Sequence, residues 1–133
     1  MTTIFTKIIN REIPAQFVYE DEVCIVIMDK FPAISGQTLI IPRQEVDYIF
    51  DLSEDIYKHI FNIAKKVAKA SDEAFATSRT CLIVEGFEVP HVHIKLYPMG
   101  HTDRNLHAIL DNVSEKPDEE LETMAQKIRE KLT

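Results

Sequence analysis

The 133-residue chain has only two cysteines, no apolar run approaching membrane-spanning length and no basic stripe. Each absence narrows the field. Cys24 and Cys81 both stand inside apolar, strand-like runs, so they read as small buried hydrophobes rather than as a disulfide or a metal pair. The first residues lack the basic-then-apolar pattern of a secretion signal, and the expected compartment is cytoplasmic, with no membrane partner. Net charge is −7, and six acids between Asp111 and Glu122, set against Lys116 alone, carry five of those charges. An acidic chain of this kind does not suit a nucleic acid partner, so any phosphate it binds must sit in a local pocket.

What remains is 45% apolar and 28% charged, the composition of a soluble globular protein. Its length allows a single domain, taken as 1–133, with a real core. Residues 4–10 suit a short helix with Phe5, Ile8 and Ile9 on one face, ended by Pro14. Phe17–Glu20 and Cys24–Met28 read as a hairpin turning at Asp21-Glu22, and Thr38–Pro42 as a third strand. Ser53 caps a long helix whose apolar spacing from Ile56 to Ala68 carries it to about Phe75, with His59 facing solvent. Thr80–Val84 and His91–Tyr97 are the fourth and fifth strands. Pro117 opens a last helix striped by Leu121, Met124, Ala125, Ile128 and Leu132 and docked on its own domain.

The stretch Pro90-His91-Val92-His93-Ile94-Lys95-Leu96-Tyr97-Pro98 carries the chemistry. In a strand, His91, His93 and Lys95 project to one side, each roughly 6–7 Å from the next, with Val92, Ile94 and Leu96 on the other. Two imidazoles and an ammonium in a row are poorly chosen for stability and well chosen for holding an anion or a metal. Asp29, at a strand end before Pro32, reads on its own as a turn residue.

The row resembles the signature of the histidine-triad (HIT) family, three histidines separated by single apolar residues, with Lys95 in the third place. Gly86-Phe87-Glu88-Val89-Pro90 is similar to the family's Gly-Gln-x-Val lead-in, and Pro98 to its closing proline. Ile4–Ile9 with Glu12–Ala15 resembles the N-terminal helix and turn. Gly36-Gln37-Thr38-Leu39-Ile40-Ile41-Pro42 resembles the family's Gly-His-x-Leu-Val-Ile-Pro strand. Together these blocks cover residues 4 to about 98.

The resemblance implies an α+β fold, a five-stranded, mainly antiparallel sheet with a long helix packed on it, and a homodimer of such domains. It implies a small-molecule nucleotide as partner and hydrolysis at the α-phosphorus of a phosphoramidate or dinucleoside polyphosphate, with AMP as product. His93 would be the nucleophile, forming a nucleotidyl-histidine. His91 would hold the hydrogen-bond network and Lys95 would meet the phosphate or departing group. Phe5, Ile8, Met28, Asp29, Lys30, Gly86, Phe87, Glu88 and Val89 would bind substrate, Asp29 by taking the ribose hydroxyls.

Several departures stand beside the resemblance. Thr3, Thr6 and Glu45 occupy places where one branch of the family has zinc ligands, so no metal and no cofactor are expected. The loop before the row is short and lacks the family's asparagine, and Gln37 replaces a histidine. Two other readings stay open: a nucleotide-binding module without turnover, and a His-x-His metal site completed by Glu85, Glu88 or His101.

Overall fold

In the computed structural model, which describes residues 2–132, five strands form one antiparallel sheet. In chain order the elements are α1 (Ile4–Ile9), β1 (Phe17–Glu20), β2 (Cys24–Met28), β3 (Thr38–Pro42), a 3-10 turn (Ile49–Asp51) and α2 (Glu54–Phe75). They continue with β4 (Arg79–Ile83), β5 (Ile94–Met99), α3 (Leu106–Ile109) and α4 (Asp118–Arg129). The strand order is β1-β2-β3-β5-β4. The α+β class and the five-stranded antiparallel sheet agree with the expectation from sequence.

The sheet is covered on both faces, and strand alternation decides what each face receives. Val26, Met28, Ile40, Ile94 and Leu96 point toward α2 and α4, joining Ile60, Ile63, Val67, Leu121, Ala125 and Ile128. Ile25, Ile27, Leu39 and Ile41 point the other way, against Phe5 and Ile8 of α1. This explains why every residue of β2 and β3 is buried, leaving no polar face to read from their sequence.

Boundaries differ from the sequence reading at three places. Helix α1 ends at Ile9, well before Pro14, because Arg11 adopts a left-handed φ of 63° and its N–H closes onto the Ile8 carbonyl. Strand β4 lies one residue earlier than expected. Strand β5 starts at Ile94 rather than His91, because the side chain of His91 takes the Pro42 carbonyl through Nε2 (2.8 Å). That acceptor is lost to a continued ladder. The Val92 N–H bonds instead to Val46.

Gly36, at the bend into β3, is required twice over. Its φ is +88°, and an added Cβ would stand 2.6 Å from the Phe75 ring. The last helix is part of the core, as expected: Leu121, Ala125 and Ile128 are buried, and Arg129 donates to the Phe17 carbonyl (2.7 Å). Asp118, Glu119 and Glu120 fill its first turn while Lys127 and Arg129 fill its last, so much of the acidic run complements the helix dipole.

Candidate functional site

Although β5 begins only at Ile94, the alternation that sets the row persists through the residues before it. Val92, Ile94 and Leu96 lie in the α2-side core, which turns His91, His93 and Lys95 toward α1. His91 is fully buried. A carbonyl can only accept, so His91 Nε2–H donates to Pro42, and in the neutral ring Nδ1 accepts the Thr3 hydroxyl (2.8 Å). Thr3 also caps α1 by accepting from the Thr6 N–H. Glu45 closes this network from outside, accepting the Thr3 N–H (3.0 Å) and the Thr6 hydroxyl (2.6 Å), which hold its carboxyl below the ordinary range. The residues standing at the expected zinc-ligand places are thus joined by hydrogen bonds, and both nitrogens of His91 are occupied.

His93 is the group left free. Its Nδ1–H donates to the main-chain carbonyl of His91 (2.8 Å), so Nε2 keeps its lone pair. The Phe5 ring lies 4.8 Å from the imidazole, centroid to centroid. Burial lowers the His93 pKa, the bond to the His91 carbonyl and the charge of Asp29 oppose that, and the Lys95 ammonium adds to it; the net displacement is downward. The tautomer of His93 is thus set by the His91 main-chain carbonyl and not by the His91 ring.

On the α2 side, His93 also borders a cavity of about 190 Å³, walled by Tyr48, Phe50, Tyr57, Phe61 and Val92 and rimmed by Asp47 and Glu85. Gly86, with φ +88°, turns the chain at its edge. Lys95 is half-buried, and its ammonium stands 3.8 Å from Glu85. Tyr97 continues the same face. Burial, then the charges of Asp29 and Glu85, push its hydroxyl up to about 12.

The other expected substrate residues divide. Phe5, Ile8 and Val89 form the apolar wall on the α1 side. Asp29 lies at the end of β2, half-buried, its charge felt by both His93 and Tyr97. Met28 does not join them: it is buried among the α2-side residues, because neighbours in a strand face opposite ways. The Lys30 ammonium is engaged elsewhere, by the Lys116 carbonyl (2.8 Å) and Asp118 (2.7 Å). Phe87, 93% exposed, and Glu88, also exposed, turn away into solvent.

The sequence named Thr3 and Glu45 only as replacements for zinc ligands and not as supports of His91, and it did not single out the four aromatic residues of the neighbouring cavity. Tyr97 carried a signal, since it continues the alternation of His93 and Lys95. Glu45 carried one only through the resemblance, which groups it with Thr3 and Thr6 at the replaced zinc-ligand places. Among the described residues, no three-donor cluster of His, Cys, Asp and Glu forms around His91 and His93. The one that does form is Asp21, Cys24 and His59. There His59 Nε2 lies 2.6 Å from Asp21, so His59 is a turn-locking residue rather than the idle surface residue expected.

Known proteins show the same arrangement of elements. The HIT domain family model matches residues 10–101. An uncharacterized HIT-like protein of Borreliella burgdorferi is 33% identical over 107 residues, spanning 75% of this chain and 77% of its own. Another from Methanocaldococcus jannaschii is 33% identical over 104 residues, with 75% and 81% covered. Among solved structures, a HIT-like protein of Bartonella henselae superposes with a TM-score of 0.89 at 29% identity, covering 98% of this chain and 96% of that one. A hypothetical histidine triad nucleotide-binding protein of Sulfolobus tokodaii gives 0.85 at 28% identity, with 97% and 91% covered.

Proposed function

The chain belongs to the HIT domain family, and from that premise we propose that it binds a nucleoside 5′-phosphate derivative and hydrolyses it at the α-phosphorus. One observation carries the reading: His93 Nδ1 is committed to a main-chain carbonyl, which leaves Nε2 as a neutral nucleophile on a ring fixed against Phe5 of α1. In the first step the Nε2 lone pair forms a bond to phosphorus as the bond from phosphorus to the amine or phosphate leaving group breaks. In the second, water attacks the nucleotidyl-histidine, returns the imidazole and releases a nucleoside monophosphate such as AMP. The Lys95 ammonium offsets phosphate charge, and Gly86 offers a main-chain N–H from a left-handed turn. The reaction is that of a phosphoramidate or dinucleoside polyphosphate hydrolase.

His93→Ala tests the assignment. The variant is expected to fold and to lose AMP release from adenosine phosphoramidates and dinucleoside polyphosphates by roughly 10⁴-fold or more. Release at the wild-type rate would remove His93 from the nucleophile role.

The outward turn of Phe87 and the pairing of Lys95 with Glu85 favour a second reading, a nucleotide-binding module without turnover. Trapping a covalent nucleotidyl-protein separates the two, because a binding module forms none. Strand β4 lies at the edge of the sheet with Leu82 exposed, which suits the homodimer implied by the family. The unpaired thiols of Cys24 and Cys81 suit a reducing compartment such as the cytoplasm.

A further inference from the structure

Asp29 and Gln37 follow the last pair of the β2–β3 ladder, Met28 opposite Thr38, and stand across from each other. The Asp29 N–H donates to the Gln37 carbonyl (3.1 Å), and the Gln37 N–H to that of Ile34 (3.2 Å). The side chains are joined as well: Gln37 Nε2–H donates to Asp29 Oδ2 (2.7 Å), while Gln37 Oε1 accepts the Ala33 N–H (2.7 Å). Gln37 is 3% exposed. Its amide has no second orientation, since a flip would set its oxygen against a carboxylate and its NH₂ against an N–H.

The other oxygen of Asp29, Oδ1, accepts the Phe31 N–H (2.9 Å). An ionised carboxylate offers about four acceptor sites, two on each oxygen. One on each is taken and one on each remains. The two acceptors left over suit two neighbouring hydroxyls, each donating to its own oxygen. We infer that Gln37 is a positioning residue that fixes the Asp29 carboxylate for a cis-diol, and so sets the preference of this site for ribose over sugars lacking the 2′- and 3′-hydroxyls. The inference rests on the nucleotide reading above. It adds a role for a residue that departs from the family pattern and that otherwise only ties the 29–37 loop.

The test measures binding of adenosine 5′-monophosphate, its 2′-deoxy form and its 2′,3′-dideoxy form by calorimetry, with melting temperature as the control for folding. Wild type is expected to favour the ribonucleotide over the dideoxynucleotide by roughly tenfold or more, as two hydrogen bonds to a charged group imply. Gln37→Leu deletes the donor. Gln37→Glu keeps an acceptor for Ala33 but sets a second carboxylate against Asp29. Both are expected to bring the ribose preference toward one by weakening the ribonucleotide alone.

A purely structural role would weaken all three nucleotides alike, and that result overturns the inference, as does a preference retained in either folded variant. Should Gln37→Leu not fold, the near-isosteric Gln37→Glu decides between the two outcomes. Wild type that binds all three sugars equally also overturns it, while leaving nucleotide binding intact. Wild type that binds none of them overturns the nucleotide reading itself.

Discussion

His93 is governed by groups that can be removed one at a time. Burial and the Lys95 ammonium lower its pKa against the pull of the His91 carbonyl and Asp29. An imidazole below its ordinary value of about 6.5 stays neutral to lower pH, so the acid limb of kcat/KM is expected below that value. The same displacement acts on stability with the opposite benefit. As pH falls from about 6.5 toward the folded value, the unfolded chain takes up the proton first, and stability declines through that window. Lys95→Met removes one of the lowering influences, so the acid limb should move up while burial keeps it short of the free value; pH–rate profiles of both proteins check this. Lys95→His tests a separate role. An imidazolium gives up its proton more readily than an ammonium does, so the variant should gain activity on alkyl phosphoramidates and change little on substrates with good anionic leaving groups. An equal change on all substrates would leave Lys95 without a part in leaving-group departure. At this scale the sequence showed the chemistry and hid the couplings. His91, His93 and Lys95 were legible from alternation alone, whereas the Thr3 and Pro42 partners of His91 lie 88 and 49 positions away. Lys30 misled for the same reason, its partners being 86 and 88 positions distant.

Elements were legible where local chemistry ends them and obscure where a distant group does. Helix α2 begins after Ser53, whose hydroxyl accepts the Ile56 N–H, as the cap-and-acid pattern indicates. The start of β5 was misplaced because the His91 side chain takes the Pro42 carbonyl its ladder needed, a tie made across 49 positions. Helix α4 offers a direct measure of what the C-terminal region contributes. Ile128 is fully buried between α4 and the sheet, so Ile128→Ala should cost about 2–4 kcal/mol in urea unfolding. A loss under about 1 kcal/mol would mean that α4 is an accessory and not part of the core. Gly36→Ala should also destabilise the protein, through a left-handed φ and a clash with Phe75 that no rotamer of an alanine relieves.

Across the whole molecule, one sheet edge stands apart. Strand β1 is flanked by α4 and held at its Phe17 carbonyl by Arg129, while β4 carries exposed Leu82 at the opposite margin. Leu82→Lys therefore tests the homodimer proposed above: light scattering at constant concentration should show a dimer for the wild type and a shift toward monomer for the variant, with the fold retained; an unchanged mass would place the partner surface elsewhere. The strands were legible as apolar runs, and the overall class and the antiparallel sheet through the family resemblance. The two-sided burial of β2 and β3 was not, since a strand covered on both faces shows no alternation. The ties that close the molecule also bear on its birth. Thr3 meets His91, Lys30 meets Asp118 and Phe17 meets Arg129, so each end of the domain is fastened to residues 88 to 112 positions away. A chain emerging from the ribosome cannot make the last of these until α4 has left the exit tunnel. His93 would be synthesised before the fold that holds it is complete, and a nascent chain stalled before Asp118 should contain His91, His93 and Lys95 yet still lack its native resistance to protease.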